Sequence, residues 1–126
     1  MALQTAIGKA RGLGSAREGT GHFKMQRLTG MANVVLVLWF VFAAASLGST
    51  DYVTVRAWLS SPVAATLMIL LVISTFYHAR LGLQVVVEDY VHHEGAKIGA
   101  LAAIQLLTFG LGIASVVSVL MVAIGS

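Results

Sequence analysis

Three stretches without a single Asp, Glu, Lys or Arg decide what this chain can become. They run over Leu28–Thr50 (23 residues), Ala57–Ala79 (23 residues) and Ile98–Ser126 (29 residues). A helix that crosses the hydrocarbon of a bilayer needs roughly 20 mostly apolar residues. Strands of a lipid-exposed barrel are shorter, about 10 residues, and alternate apolar with polar; these runs show no alternation. The rest of the composition agrees. Of 126 residues, 58% are hydrophobic and 10% charged, and the mean hydropathy is +0.89. A soluble domain this small leaves a large share of its surface in water and cannot hide that much apolar area. A disordered chain is excluded by the same numbers. Zero Cys excludes disulfides, thiolate ligation of iron–sulfur clusters and a thiol nucleophile from this chain. The expected fold is an all-α membrane protein with three transmembrane helices.

The local signals place the helices at about 28–47, 62–87 and 97–123. Gly48-Ser49-Thr50 ends the first. Ser61 is a suitable N-cap for the second, with Pro62 in its first turn. No breaker follows Ala79, so the second helix is expected to run on past Arg80 to about Val87. Orientation follows the basic residues. Lys9, Arg11, Arg17, Lys24 and Arg27 precede the first helix, Arg80 and Lys97 return to that side, and only Arg56 lies opposite. This predicts a cytoplasmic amino terminus and a periplasmic carboxy terminus, in the inner membrane of a bacterial cell. Residues 1–27 lack an apolar core, so they are not a secretory signal peptide. They read as a cytoplasmic arm ahead of a three-helix anchor over 28–126, in preference to a mitochondrial presequence. Gly110, Ala114 and Ser118 recur at spacing four and make a small-residue stripe suited to helix–helix contact. Gln105 is expected to face protein, since a bare amide in hydrocarbon is costly.

An ionisable residue inside a span is the first place to look for function. His78 is the one His within the three runs; His22, His92 and His93 lie outside them. At 100° per residue, Ser74, Gly82 and Asp89 fall within about 40° of His78 on the same helical face. Ser74 and Gly82 are small, which leaves a shallow recess around the imidazole, and imidazole is the usual neutral nitrogen ligand of haem iron. A hydrogen bond from His78 to a neighbouring helix is the plainer alternative. No second His or Met stands at a comparable depth, so a six-coordinate haem would take its other ligand from another polypeptide. Arg27 and Arg80 lie near the same membrane face, where they would pair either with haem propionates or with lipid phosphates. Asp89-Tyr90 follows eleven residues after His78. The pair would serve a polar head group at the membrane surface, or Tyr90 would be an interfacial anchor beside solvated acids. His92-His93-Glu94 is a poor metal site, because adjacent helical side chains diverge by about 100°.

The stretch His78-Ala79-Arg80-Leu81-Gly82-Leu83-Gln84-Val85-Val86-Val87-Glu88-Asp89-Tyr90-Val91-His92 resembles the signature of the succinate dehydrogenase hydrophobic membrane anchor subunits: His, Gly four residues later, and Asp-Tyr-Val eleven residues on. Gly19-Thr20-Gly21-His22-Phe23-Lys24-Met25-Gln26-Arg27-Leu28-Thr29 is similar to that family's arm before its first helix. The resemblance covers most of the chain. It implies that His78 is an axial ligand of haem b, with the other ligand from a cytochrome b subunit; Ser74, Gly82, Arg27 and Arg80, placed beside His78 by the residue reading above, would then be the candidate haem surroundings. It implies that Asp89 and Tyr90 lie at a ubiquinone site, with Tyr90 donating to a quinone carbonyl oxygen. An iron–sulfur subunit would deliver the electrons and a flavoprotein subunit would oxidise succinate. Arg80 departs from the family pattern, in which an uncharged residue is common there. The competing functions are a non-enzymatic assembly or transporter subunit and the anchor of a fumarate reductase. Neither calls for a nucleic-acid partner.

Overall fold

A computed structural model describes residues 16–125. Four helices follow one another: α1 (Ala16–Ser46), α2 (Tyr52–Leu59), α3 (Pro62–Tyr90) and α4 (Glu94–Ile124). Among the described residues, three helices are long and apolar enough to cross a membrane, over Thr20–Ser46, Pro62–Tyr90 and Glu94–Ile124. The fold class is thus the all-α, three-span architecture that the charge-free runs predict.

The helices are longer than their apolar cores. The first starts at Ala16 rather than near Leu28, so the stretch His22–Arg27 is helical. Its other end is marked by Gly48, whose φ of 74° is the left-handed conformation that Gly adopts without steric cost. α3 opens at Pro62 with Ser61 in the N-cap position, though the Ser61 hydroxyl makes no capping bond. It then runs unbroken to Tyr90. Residues 1–15 of the expected amino-terminal arm lie outside the described residues.

α2 was not expected. Its start is set by Asp51, whose Oδ1 accepts from the Thr54 amide at 3.1 Å. It turns Trp58 onto Trp39 and Phe40 of α1, with ring centroids 5.7 and 6.2 Å apart. It buries Leu59. The Arg56 guanidinium sits against Gly125 at the carboxyl end of α4, where the exposed carbonyls of a helix favour a cation. One short helix therefore ties the same ends of α1, α3 and α4 together.

α3 is the centre of the molecule. It packs against both α1 and α4, while among the described residues no Cα of α1 comes within 8 Å of one of α4. The buried residues are few: Thr29, Leu59, Ala64, Ser74 and Leu81. Outward-facing side chains such as Phe42 and Leu106 are exposed by 72% and 74%. In water such a surface would aggregate; in lipid it costs nothing. The small-residue stripe of α4 does not serve the fold of this chain. Gly110, Ala114 and Ser118 all face outward, and it is Gly112 that meets Phe76 of α3, at 3.6 Å from where a Cβ would stand.

Candidate functional site

α1 and α3 run antiparallel, and three polar positions of α1 face α3: Gln26, Thr29 and Asn33. They recur at helical spacing, so a single seam holds them. The seam closes tightly because α1 places Gly30 against His78. A Cβ there would lie 3.4 Å from the imidazole Cε1, the inner edge of ordinary contact. One turn towards the amino end, Gln26 packs on Gly82, and a Cβ at Gly82 would stand 3.6 Å from its Nε2. One turn the other way, Ser74 Oγ donates to the Thr29 carbonyl at 3.2 Å. Thr75 Oγ1 reaches Asn33 Oδ1 at 3.5 Å. Ser74 and Gly82 are small, as the sequence shows, but the space they leave is filled by α1. The recess expected there for a flat ligand is occupied by a helix.

The ring of His78 is fixed by Thr29, whose Oγ1 lies 3.1 Å from Nδ1. That hydroxyl has one proton to give. It has two backbone carbonyls to give it to, Met25 O at 2.7 Å and Gln26 O at 3.2 Å. With its proton directed to Met25, the Thr29 oxygen accepts from Nδ1–H. In that arrangement His78 is the tautomer with a lone pair on Nε2. Nε2 forms no hydrogen bond among the described residues, and it is not one of the enclosed polar atoms. A ring tied at one nitrogen and open at the other is the arrangement of a metal-ligating histidine. Two other atoms of α1, Gln26 Oε1 in the seam and His22 Nε2 one turn before it, are enclosed without a partner. In an apolar setting each requires water or another polar group. Thr29, Gly30, Gln26 and His22 are not among the site residues that the sequence singles out, although His22, Gln26 and Thr29 fall in the family-like arm. Their α1 spacing was readable, but which helix they face was not.

The other expected site residues divide. Asp89 is on the face of His78, about 16 Å further along the unbroken α3. Asp89 and Tyr90 both project from its end, Tyr90 with 76% exposure, and neither side chain is hydrogen-bonded among the described residues. Arg27 is exposed, with its guanidinium 5.4 Å from the centre of the Phe23 ring. Arg80 is not brought to His78. Two residues along a helix is a rotation of about 200°, and Arg80 stands on the α4 side of α3, 5.3 Å from the Tyr77 ring centre. There it lines a groove of about 420 Å³ with Ile73, Phe76 and Tyr77, and a smaller cavity of about 120 Å³ with Gln84 and Gln105. Gln105, expected to face protein, is exposed but borders that cavity. His93 serves the fold, because its Nδ1 accepts from the Ala96 amide at 3.1 Å and caps α4. Among the described residues, no group of three or more His, Cys, Asp or Glu side chains could hold a metal ion.

Comparison with known proteins gives this arrangement a context. Residues 1–122 match the family model described as succinate dehydrogenase/fumarate reductase transmembrane subunit. The chain is 32% identical over 118 residues to the succinate dehydrogenase hydrophobic membrane anchor subunit of Rickettsia bellii, covering 93% of this chain and 94% of that protein. It is 29% identical over 105 residues to the protein of the same name from Rickettsia conorii, covering 82% and 83%. The Rickettsia felis protein of that name is 26% identical over 98 residues, covering 78% and 82%. No solved structure matches the chain. On the family match and the near full-length relatives, this chain belongs to the succinate dehydrogenase/fumarate reductase transmembrane subunit family.

Proposed function

We propose that this chain is the hydrophobic anchor of a succinate:quinone oxidoreductase, that it binds haem b through His78, and that it forms part of the ubiquinone site through Asp89 and Tyr90. The observation that carries the reading is the state of His78: Nδ1 is held by Thr29, Nε2 is unpartnered, and the ring is braced by Gly30. The donor set suits haem iron, since neutral imidazole is its usual protein ligand. Haem b, when bound, supplies a one-electron store beside the quinone site. The chain's own residues do the rest. Thr29 keeps the tautomer that leaves Nε2 basic. Gly30, Ser74 and Gly82 let α1 approach closely enough for that contact. Arg27, on the α1 side, is the basic residue suited to a haem propionate.

Tyr90 donates its phenolic proton to a quinone carbonyl oxygen, and Asp89 orients the phenol or passes on a proton. Both stand open at the end of α3, so partner subunits enclose them. Those partners are a cytochrome b subunit with the second haem ligand, an iron–sulfur subunit that delivers electrons, and a flavoprotein subunit that oxidises succinate. The ends of α1, α3 and α4 remote from α2 then face the cytoplasm, in keeping with the excess of Lys and Arg there, in a bacterial inner membrane.

The deciding experiment is a reduced-minus-oxidised spectrum of the purified complex. His78→Ala should abolish or displace the b-type band; an unchanged spectrum and haem content would remove His78 as ligand. Tyr90→Phe should impair quinone reduction while succinate oxidation by artificial dyes continues. Equal quinone reduction in variant and wild type would take Tyr90 out of the mechanism.

A further inference from the structure

We propose that the groove between α3 and α4 is a binding site for one anionic glycerophospholipid, with its phosphate on Arg80 and an acyl chain lying in the groove. Three observations carry this. The first is the unpaired charge. The Arg80 guanidinium rests on the Tyr77 ring, 5.3 Å from its centre, and has no carboxylate partner among the described residues. A guanidinium at the edge of hydrocarbon requires an anion or a path to water, and phosphate matches its fork of donors. Gln84 and Gln105 border the same cavity and add amide donors beside it. Gln84 already gives one proton to Glu88, at 3.1 Å, and that carboxylate forms no ion pair with Arg80.

The second observation is the depth. About 20 helical residues cross the hydrocarbon core. Counted from the α2 end, from Pro62 along α3 and from Ile124 back along α4, that distance ends close to Arg80 and Gln105. Arg80 and both amides therefore stand at the level of lipid phosphates and glycerol, not in mid-membrane.

The third is the shape. From Arg80 the groove runs towards the α2 end between Ile73–Tyr77 and Thr108–Val117, with about 420 Å³ of space. The ten residues of α4 from Thr108 to Val117 set its length at about 13 Å. Its walls are aliphatic and aromatic, and Thr108, the one hydroxyl on the α4 side, is spent on the Ile104 carbonyl at 2.7 Å. A cationic end at headgroup level joined to an apolar trough below it is complementary to an amphiphile with an anionic head. A soluble anion would leave the trough unexplained. The His78 face of α3 lies about 200° away, so a ligand there does not supply the counter-charge.

The test is native mass spectrometry of the whole purified complex during detergent washing. Wild type should retain one phosphatidylglycerol- or cardiolipin-class lipid after bulk lipid is gone. Arg80→Gln should lower its occupancy about tenfold, and Arg80→Lys should lower it less, since one point charge replaces a bidentate donor. Ile113→Trp, which fills the trough and leaves Arg80 in place, should lower it as well; this variant serves if Arg80→Gln fails to assemble. The proposal is overturned by wild type that retains no anionic lipid, or by full occupancy in either Arg80→Gln or Ile113→Trp. It is equally overturned if Ile113→Cys is cross-linked to a partner helix in place of a photoreactive lipid.

Discussion

α3 has two neighbours, and it meets them by different chemistry. Towards α1 the interface is polar and closed: Ser74, Thr75 and His78 bond to Thr29 or Asn33, and Gly30 lets the backbone come within reach of the imidazole. Towards α4 it is apolar and incomplete: Phe76 rests on Gly112, and beside that contact a groove stays open with Arg80 at its end. In lipid there is little gain from merely hiding apolar groups, so helices hold together by close packing and hydrogen bonds. The α1 side uses both, and the positions of its groups are fixed to within bond lengths. The α4 side uses mainly packing, and leaves room for something that is not this chain. The contrast separates a place where a side chain must be held in one orientation from a place where a surface only needs to be covered.

The largest expected effect strikes the closed side. Gly30→Leu puts three more carbons where only a Cβ has room, pushes His78 off Thr29, and should cost about 1–3 kcal/mol. Thermal unfolding of the detergent-solubilised complex reads this, and haem content should fall with it. Unchanged stability would mean that the seam is looser than its distances imply. Thr29→Val keeps the shape and removes the hydroxyl. It should cost only about 0.6 kcal/mol in stability, yet weaken haem retention about 10- to 100-fold, the usual effect of losing the group that orients a ligating histidine. Haem titration of the apo-complex checks it; equal affinity would make Thr29 a packing residue only.

On the open side, Gly112→Ala meets Phe76 at an ordinary van der Waals distance of 3.6 Å. It should change the unfolding midpoint by less than the equivalent of about 0.5 kcal/mol. A large loss would show the α4 contact to be as tight as the α1 contact. The smallest effect belongs to α2, which touches neither interface's polar groups. Hydrogen bonds from Thr54 hold the Asp51 carboxyl below its ordinary pKa of 3.8. A lowered folded-state pKa means that the cap contributes at all pH values above that of the unfolded chain. The contribution fades as pH falls below about 4, through the folded value. Amide exchange at Thr54, corrected for its intrinsic pH dependence, should stay slow from neutral pH down to about 5 and quicken below 4. Asp51→Ala should be fast throughout.

Much of this was readable from the residues. The charge-free runs gave the three spans, because the bilayer allows no other use of such long apolar stretches. His78, Ser74 and Gly82 were readable as one face by helical geometry alone. α2 was missed, although Asp51 ahead of Val55, Trp58 and Leu59 is a helix start with a short apolar stripe; eight residues are too few for periodicity to speak without a surface to pack on. His93 was set aside as a poor metal ligand and is an N-cap, a role visible only once the helix start is known. Arg80 and His78 are two residues apart in sequence and looked like members of one site. The rotation between them sends one to α4 and the other to α1.

The sequence by itself determined that the chain lives in a membrane, how many times it crosses, and which of its few polar residues sit within the crossings. Those follow from hydropathy and helical period, which are local properties. Only the tertiary structure decided what each polar residue faces. That depends on which helix stands beside α3 and in what register, and a difference of one residue in register turns a side chain by about 100°. Thr29 and Gly30 fix His78 because α1 arrives at that height, and Arg80 is left for a lipid because α4 does not bring it a carboxylate.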